Sequence, residues 1–106
     1  MEYSEKLKDP RWQKKKNGIL ERDKYTCQIC YSVEKQLQVH HKYYLPDKEP
    51  WDYAEEVLIT LCVDCHKKEG IAVKRFREAI KELLEAGFTH AELLTEVNLF
   101  KHTNGR

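Results

Sequence analysis

An α+β fold with a cysteine staple is what this sequence predicts, and three observations predict it. Four cysteines occur as two Cys-x-x-Cys pairs, Cys27/Cys30 and Cys62/Cys65, with 31 residues between them. Two short runs of strand character lie within that interval: Leu37, Val39 and His41 alternate with Gln36, Gln38 and His40, and Val57-Leu58-Ile59-Thr60-Leu61 leads into the second pair. Capped helical patterns lie on either side of this middle region. The two cysteine pairs suit one tetrahedral zinc site, each giving two thiolates from a tight turn. The chain has 106 residues, enough for a single domain. A chain this short buries only about 60–70% of its unfolded surface, so a staple is expected. A structural zinc supplies roughly 10–16 kcal/mol in apparent terms. Redox use of the pairs is disfavoured, because no βαβ pattern accompanies them. Haem attachment fits the bare run Cys62-Val63-Asp64-Cys65-His66 but leaves Cys27 and Cys30 without a role.

The elements follow in order. Residues 1–8 are polar and are expected to fray or wrap over the surface. Asp9-Pro10 reads as N-cap and first helical residue. Trp12, Ile19 and Leu20 then share one helix face, and the helix should end near Asp23. Tyr25 to Cys30 reads as a short strand entering the first knuckle. Residues 42–56 form an irregular loop with Pro46, Pro50, Trp51 and Tyr53. A helix should start around the second knuckle and carry His66, Lys67 and Lys68 before Gly70. A stronger helix follows, with Val73, Phe76, Ile80, Leu83 and Leu84 as an apolar stripe expected to be core, and Gly87 as its stop. Thr89 and Glu92 form a capping box, with Phe88 and Leu93 as a hydrophobic staple. The last helix should reach about Phe100, leaving a loose tail from His102 to Arg106.

Composition narrows the function classes. Hydrophobic residues make up 41% and charged ones 35%, which argues against a disordered chain. Uncharged, mostly apolar runs such as Val57–Val63 are too short to span a membrane. Residues 1–6 show no apolar signal region, so a cytoplasmic location is expected, where structural disulfides are rare. The net charge is only +1, from 19 basic and 18 acidic residues, so nucleic-acid binding must come from local charge. Residues 1–25 hold eight Lys/Arg against five Asp/Glu, whereas residues 45–64 hold one Lys against six acids.

Three histidines stand near the knuckles: His40, His41 and His66. On a strand His40 and His41 leave on opposite faces, so one can face a metal while the other faces a groove. Phosphodiester hydrolysis needs a water, a base and a cation near the phosphate. A neutral imidazole can serve as base at neutral pH. His40 and His66 could bind one divalent metal, with His41 as the base, while the cysteine zinc has no open position. Alternatively, one or more of these histidines is a zinc ligand or packs in the core. His90 and His102 lack metal-like neighbours and should be exposed. Lys42, Lys67, Lys68, Lys74 and Arg75 are candidates for phosphate contact. Tyr43, Tyr44, Trp51 and Tyr53 would pack the loop or stack on a nucleic acid.

Over roughly residues 3–70 the chain resembles the HNH (His-Asn-His) endonucleases with a cysteine-bound zinc, of bacterial or phage type. The resemblance rests on Cys27-x-x-Cys30, Leu37-Gln38-Val39-His40-His41 and Leu58-Ile59-Thr60-Leu61-Cys62-x-x-Cys65-His66, in that order, after the leader Trp12…Ile19-Leu20-Glu21-Arg22-Asp23. It implies a ββα-metal (His-Me finger) core in a treble-clef-like, zinc-stapled domain with N-terminal and C-terminal helices. Residues 1–70 would form the nuclease core with its leader helix, and residues 71–106 a helical extension packed on the same domain. It also implies metal-dependent cleavage of DNA in a bacterial or phage-infected cell. His41 would be the general base, His40 and His66 the ligands of a catalytic Mg²⁺, Mn²⁺, Ni²⁺ or Zn²⁺, and Cys27, Cys30, Cys62 and Cys65 the ligands of a structural Zn²⁺. The middle Asn of the family has no counterpart, since Val57 holds its position after Glu55 and Glu56. The rival reading keeps the fold but not the catalysis, giving a zinc module that binds DNA or a protein. A lone site makes one cut, so a double-strand break would require a homodimer or larger complex.

Overall fold

A computed structural model describes residues 2–105. These fall into two compact units, the first ending at Glu69 and the second beginning at Gly70. The element order is α1 (Tyr3–Lys6), α2 (Pro10–Arg22), β1 (Leu37–His41), 3₁₀ turns at Pro50–Asp52 and Glu55–Val57, β2 (Leu58–Cys62), α3 (Val63–Glu85) and α4 (His90–Asn104). The chain is thus mixed α and β, with one antiparallel two-stranded sheet.

In the first unit α2 starts where its sequence signal places it. The Asp9 carboxylate accepts from the Arg11 backbone N–H at 2.8 Å, and Pro10 fills the first helical position. Trp12 and Ile19 are buried on the face turned to the sheet and loop, where they join Tyr53, Val57 and Leu58 in one apolar cluster. β1 and β2 pair in the register Leu37↔Cys62 to His41↔Leu58. Leu58, Thr60, Leu61 and Cys62 in β2 are all fully buried, so this strand lies at the centre of the unit.

The outer edge of β2 is closed without a third strand. Tyr25 to Cys30, expected as a strand, is instead a series of turns. Lys24 and Tyr25 adopt left-handed backbone at φ 55° and 52°, and the Tyr25 N–H turns back to the Leu20 carbonyl at 2.8 Å. That turn brings Asp23 to the edge of the sheet, where its carboxylate accepts from the Thr60 N–H at 2.9 Å. The Thr60 carbonyl accepts from the Gln28 N–H at 3.0 Å. With both backbone groups of Thr60 satisfied, an extended partner is unnecessary. Arg22 adds two bonds of 2.7 Å to the carbonyls of Glu55 and Leu58, fixing the loop ahead of β2.

Residues 3–6, expected to fray or wrap over the surface, form a helical turn on it, with Tyr3 against Tyr44 and Lys6 against Glu49. Three further expectations are corrected. β2 begins at Leu58, because Val57 closes a 3₁₀ turn. Gly70 does not interrupt the chain: α3 runs through it, since one glycine costs a helix only about 1 kcal/mol. Residues 102–104 belong to α4, which ends on Gly105 in left-handed backbone. Arg106 of the expected tail lies outside the described residues, as does Met1.

The second unit carries its caps as expected. Gly87 at φ 106° ends α3, with N–H bonds from Gly87 to Leu84 and from Phe88 to Leu83. The Thr89–Glu92 capping box opens α4. The apolar stripe of α3 is not core, however. Val73, Phe76 and Leu83 are exposed, and Ile80 and Leu84 are only half-buried. α3 and α4 are not packed side by side, so nothing within this unit covers the stripe. No helix among the described residues is long and apolar enough to cross a membrane.

Candidate active site and metal centre

The four cysteines converge. The turn after Cys27, closed by Tyr31 N–H to Cys27 carbonyl at 2.9 Å, offers two thiols, the end of β2 offers Cys62 and the first turn of α3 offers Cys65. All four sulfur atoms lie within 4.8 Å of one another. Four thiolates at about 2.3 Å from one tetrahedral zinc stand about 3.8 Å apart, and Cys30 and Cys62 have their sulfurs 3.7 Å apart. The cluster is therefore able to hold a metal ion such as zinc.

The electrostatics of the cluster match that use. Burial opposes ionisation of Cys27, but backbone N–H groups of Cys30, Cys62 and Ile29 aimed at its sulfur bring the thiol down to about 6. Cys62 is lowered chiefly by the Cys65 N–H, which donates to its sulfur at 3.4 Å in the first turn of α3. Cys65 is pushed up to about 12 by burial and by its neighbouring sulfurs. A divalent cation at the centre would let all four ionise together.

The histidines separate by face, as strand alternation requires. His40 leaves one face of β1 and meets His66, in the first turns of α3, with ring centroids 5.2 Å apart and nearly perpendicular. Two imidazoles sharing a metal at about 2.1 Å have ring centres about 5 Å apart, so the spacing of this pair is compatible with a shared metal. The pKa of His40 is lowered by burial first and by the neighbouring His66 next, while Glu69 opposes the shift. Neutral rings are the form that binds a metal.

His41 leaves the other face and is almost wholly buried, at 3% exposure. Its ring is stacked on Trp12 and Tyr44 at 5.1 and 4.8 Å and meets Tyr53 edge-on at 5.0 Å. Its Nε2 lies 3.0 Å from the Pro50 carbonyl oxygen. A carbonyl only accepts, so Nε2 carries the ring proton and Nδ1 carries the lone pair, facing the Tyr44 hydroxyl at 3.4 Å. Burial lowers the pKa of His41, with the Pro50 bond opposing it, so the ring is neutral at pH 7. Together with His66, His41 lines an open cleft of about 540 Å³ whose wall includes Trp12, Gln13, Lys16 and Tyr44.

Some of these partners had no clear sequence signal. Trp12 reads as a helix core residue, yet its ring also supports His41. The Pro50 carbonyl is a backbone group in a loop, and nothing in the residue order marks it as the partner of His41. The aromatic loop divides: Tyr53 is buried, Trp51 half-buried with the Arg11 guanidinium 4.1 Å above its ring, and Tyr43 and Tyr44 are exposed. Lys42, Lys67 and Lys68 are exposed in the first unit, and Lys74 and Arg75 are exposed in the second. His90 and His102 are exposed, as expected. Val57 is buried in the apolar cluster, and its carbonyl accepts from the Lys42 N–H at 2.8 Å, tying the end of β1 to the loop. Comparison with protein families, curated proteins and solved structures gave no match to this chain.

Proposed function

We propose that the protein is a metal-dependent HNH endonuclease that hydrolyses DNA phosphodiester bonds. β1, β2 and the first turns of α3 would be a ββα-metal core in a treble-clef setting, and the four cysteines would hold a structural Zn²⁺. The observation that carries the reading is the convergence of His40 on β1 and His66 on α3, with ring centroids 5.2 Å apart, and of His41 and His66 on the wall of one cleft. His40 and His66 would hold one Mg²⁺, Mn²⁺, Ni²⁺ or Zn²⁺. When bound, that cation stabilises the leaving oxygen and the charge on the phosphate.

The chain's own residues do the rest. Pro50 holds the His41 proton on Nε2, which leaves Nδ1 to accept a proton from water. Burial keeps that ring neutral at working pH. Exposed Lys42, Lys67 and Lys68 supply cations for the DNA backbone, a contact that positions without reading sequence. The side chain that would stand for the family's Asn is a core valine, and the loop is tied by backbone instead, through Lys42 and Val57.

Cleavage of supercoiled plasmid tests this, with wild type, His41→Ala and His66→Ala shown to carry equal zinc. The expected result is nicking that requires Mg²⁺ or Mn²⁺ and falls at least 100-fold in either variant, the scale of a lost general base (about 10²–10⁴). No cleavage by wild type in any metal would reject the nuclease and leave a zinc module that binds DNA or a protein.

A further inference from the structure

We propose that Tyr44 is a positioning residue of the same site: its hydroxyl caps the lone pair of His41 and gives way to the attacking water when substrate enters. The inference rests on His41 being the base, and it follows from the direction of three hydrogen bonds. The Pro50 carbonyl fixes the His41 proton on Nε2, so Nδ1 is an acceptor. The Tyr44 hydroxyl lies 3.4 Å from Nδ1 and must therefore donate to it. With its one proton so used, Tyr44 accepts from the Tyr3 hydroxyl at 3.2 Å. The result is a one-way chain, from Tyr3 of α1 through Tyr44 to His41 and on to the Pro50 carbonyl.

Two further features suit a cap that can be displaced. The bonds at 3.4 and 3.2 Å are long for hydroxyl donors, which bond best near 2.7–2.8 Å, so they are weak. Tyr44 itself is 60% exposed, whereas the imidazole it covers is 3% exposed. The cleft gives a substrate access to Tyr44, His41 and His66 together. Desolvation of its hydroxyl end and the bond to Tyr3 push the Tyr44 phenol well above its ordinary value, so it remains a donor at any working pH. The atom on Nδ1 is the one a nucleophilic water must replace. Tyr44 therefore sets how readily the base is reached, while its ring keeps the imidazole stacked at 4.8 Å.

Three variants of the full zinc-loaded chain test the cap: Tyr44→Phe, Tyr3→Phe and Tyr44→Ala. Removing only the hydroxyl leaves the stacked ring in place. Tyr44→Phe should raise the plasmid-nicking kcat by about twofold to tenfold, the weight of one weak hydrogen bond, with KM within twofold. Tyr3→Phe should act in the same direction and less strongly, whereas Tyr44→Ala, which removes the ring, should lower kcat. A residue with only a structural role would give Tyr44→Phe an unchanged or reduced kcat, and that result overturns the proposal. The ¹⁵N resonances of the His41 ring give a readout independent of catalysis. Wild type should show the Nε2–H tautomer with a hydrogen-bonded Nδ1, and the Nδ1 signal should move in Tyr44→Phe while Nε2 stays. If no protein nicks DNA but the Nδ1 signal moves, the nuclease reading fails and the hydroxyl contact stands. An unmoved Nδ1 signal overturns the cap whatever the activity.

Discussion

Asp23 shows how much a single side chain holds in a small protein. It ends α2, pairs with Arg22 at 3.0 Å and accepts the Thr60 N–H of β2, with its side chain only 8% exposed. Burial works against its charge, but the bonds from Arg22 and Thr60 prevail and hold its carboxyl below the usual 3.8. A carboxylate with a lowered folded pKa contributes stability above its unfolded value, and that stability is lost only as pH falls through the lowered value. Asp23→Asn should therefore cost about 1.5–3 kcal/mol, the range for hydrogen bonds to a charged group. The cost should be constant between pH 8 and 5. Urea unfolding of both proteins across that range checks it, and a gap that closes before pH 5 would refute it. The same residue marks a limit of reading by pattern. Asp23 is legible as a helix end, but its bond to Thr60 spans 37 residues, and no local signal announces it.

Among the elements, β1 follows its alternation over Leu37–His41, with Gln38 exposed and His41 buried, because a strand with one face turned inward leaves its period in the sequence. The caps at Asp9, Gly87 and Thr89 were equally legible, since each meets the needs of adjacent backbone. Tyr25 to Cys30 was not, because its β-type residues follow two left-handed positions set by the turn after α2. Gly70 was misread as a break. No atom lies within 4 Å of a Cβ built on Gly70, and its backbone is helical. Gly70→Ala should therefore raise the unfolding midpoint, by about 0.5–1 kcal/mol of helix stability. A thermal or urea melt decides it, and a destabilised variant would mean that α3 needs flexibility there.

At the scale of the whole molecule, the two buried clusters are small, and one of them consists largely of the cysteines themselves. Stability of this size, typically about 5–15 kcal/mol for a domain, is comparable to what a structural zinc contributes, about 10–16 kcal/mol. Stripping the metal with a strong chelator, to which the exposed Cys30 gives access, should unfold the first unit. Trp12 is buried, so tryptophan emission should shift to the red, and added Zn²⁺ should reverse it. Emission unchanged after complete metal removal would show that the apolar cluster around Trp12 stands without the staple.

What the sequence determined by itself is local: the helix starts and stops, the face of each strand and the two cysteine pairs. Their physics acts between neighbours in the chain, and residue spacing records it. The convergence of four sulfurs from two distant turns, of His40 with His66, and of Pro50 and Tyr44 on the two nitrogens of His41 was decided only in three dimensions. The exposure of the α3 stripe was decided there too: periodicity tells which residues share a face, but only packing tells whether that face is covered.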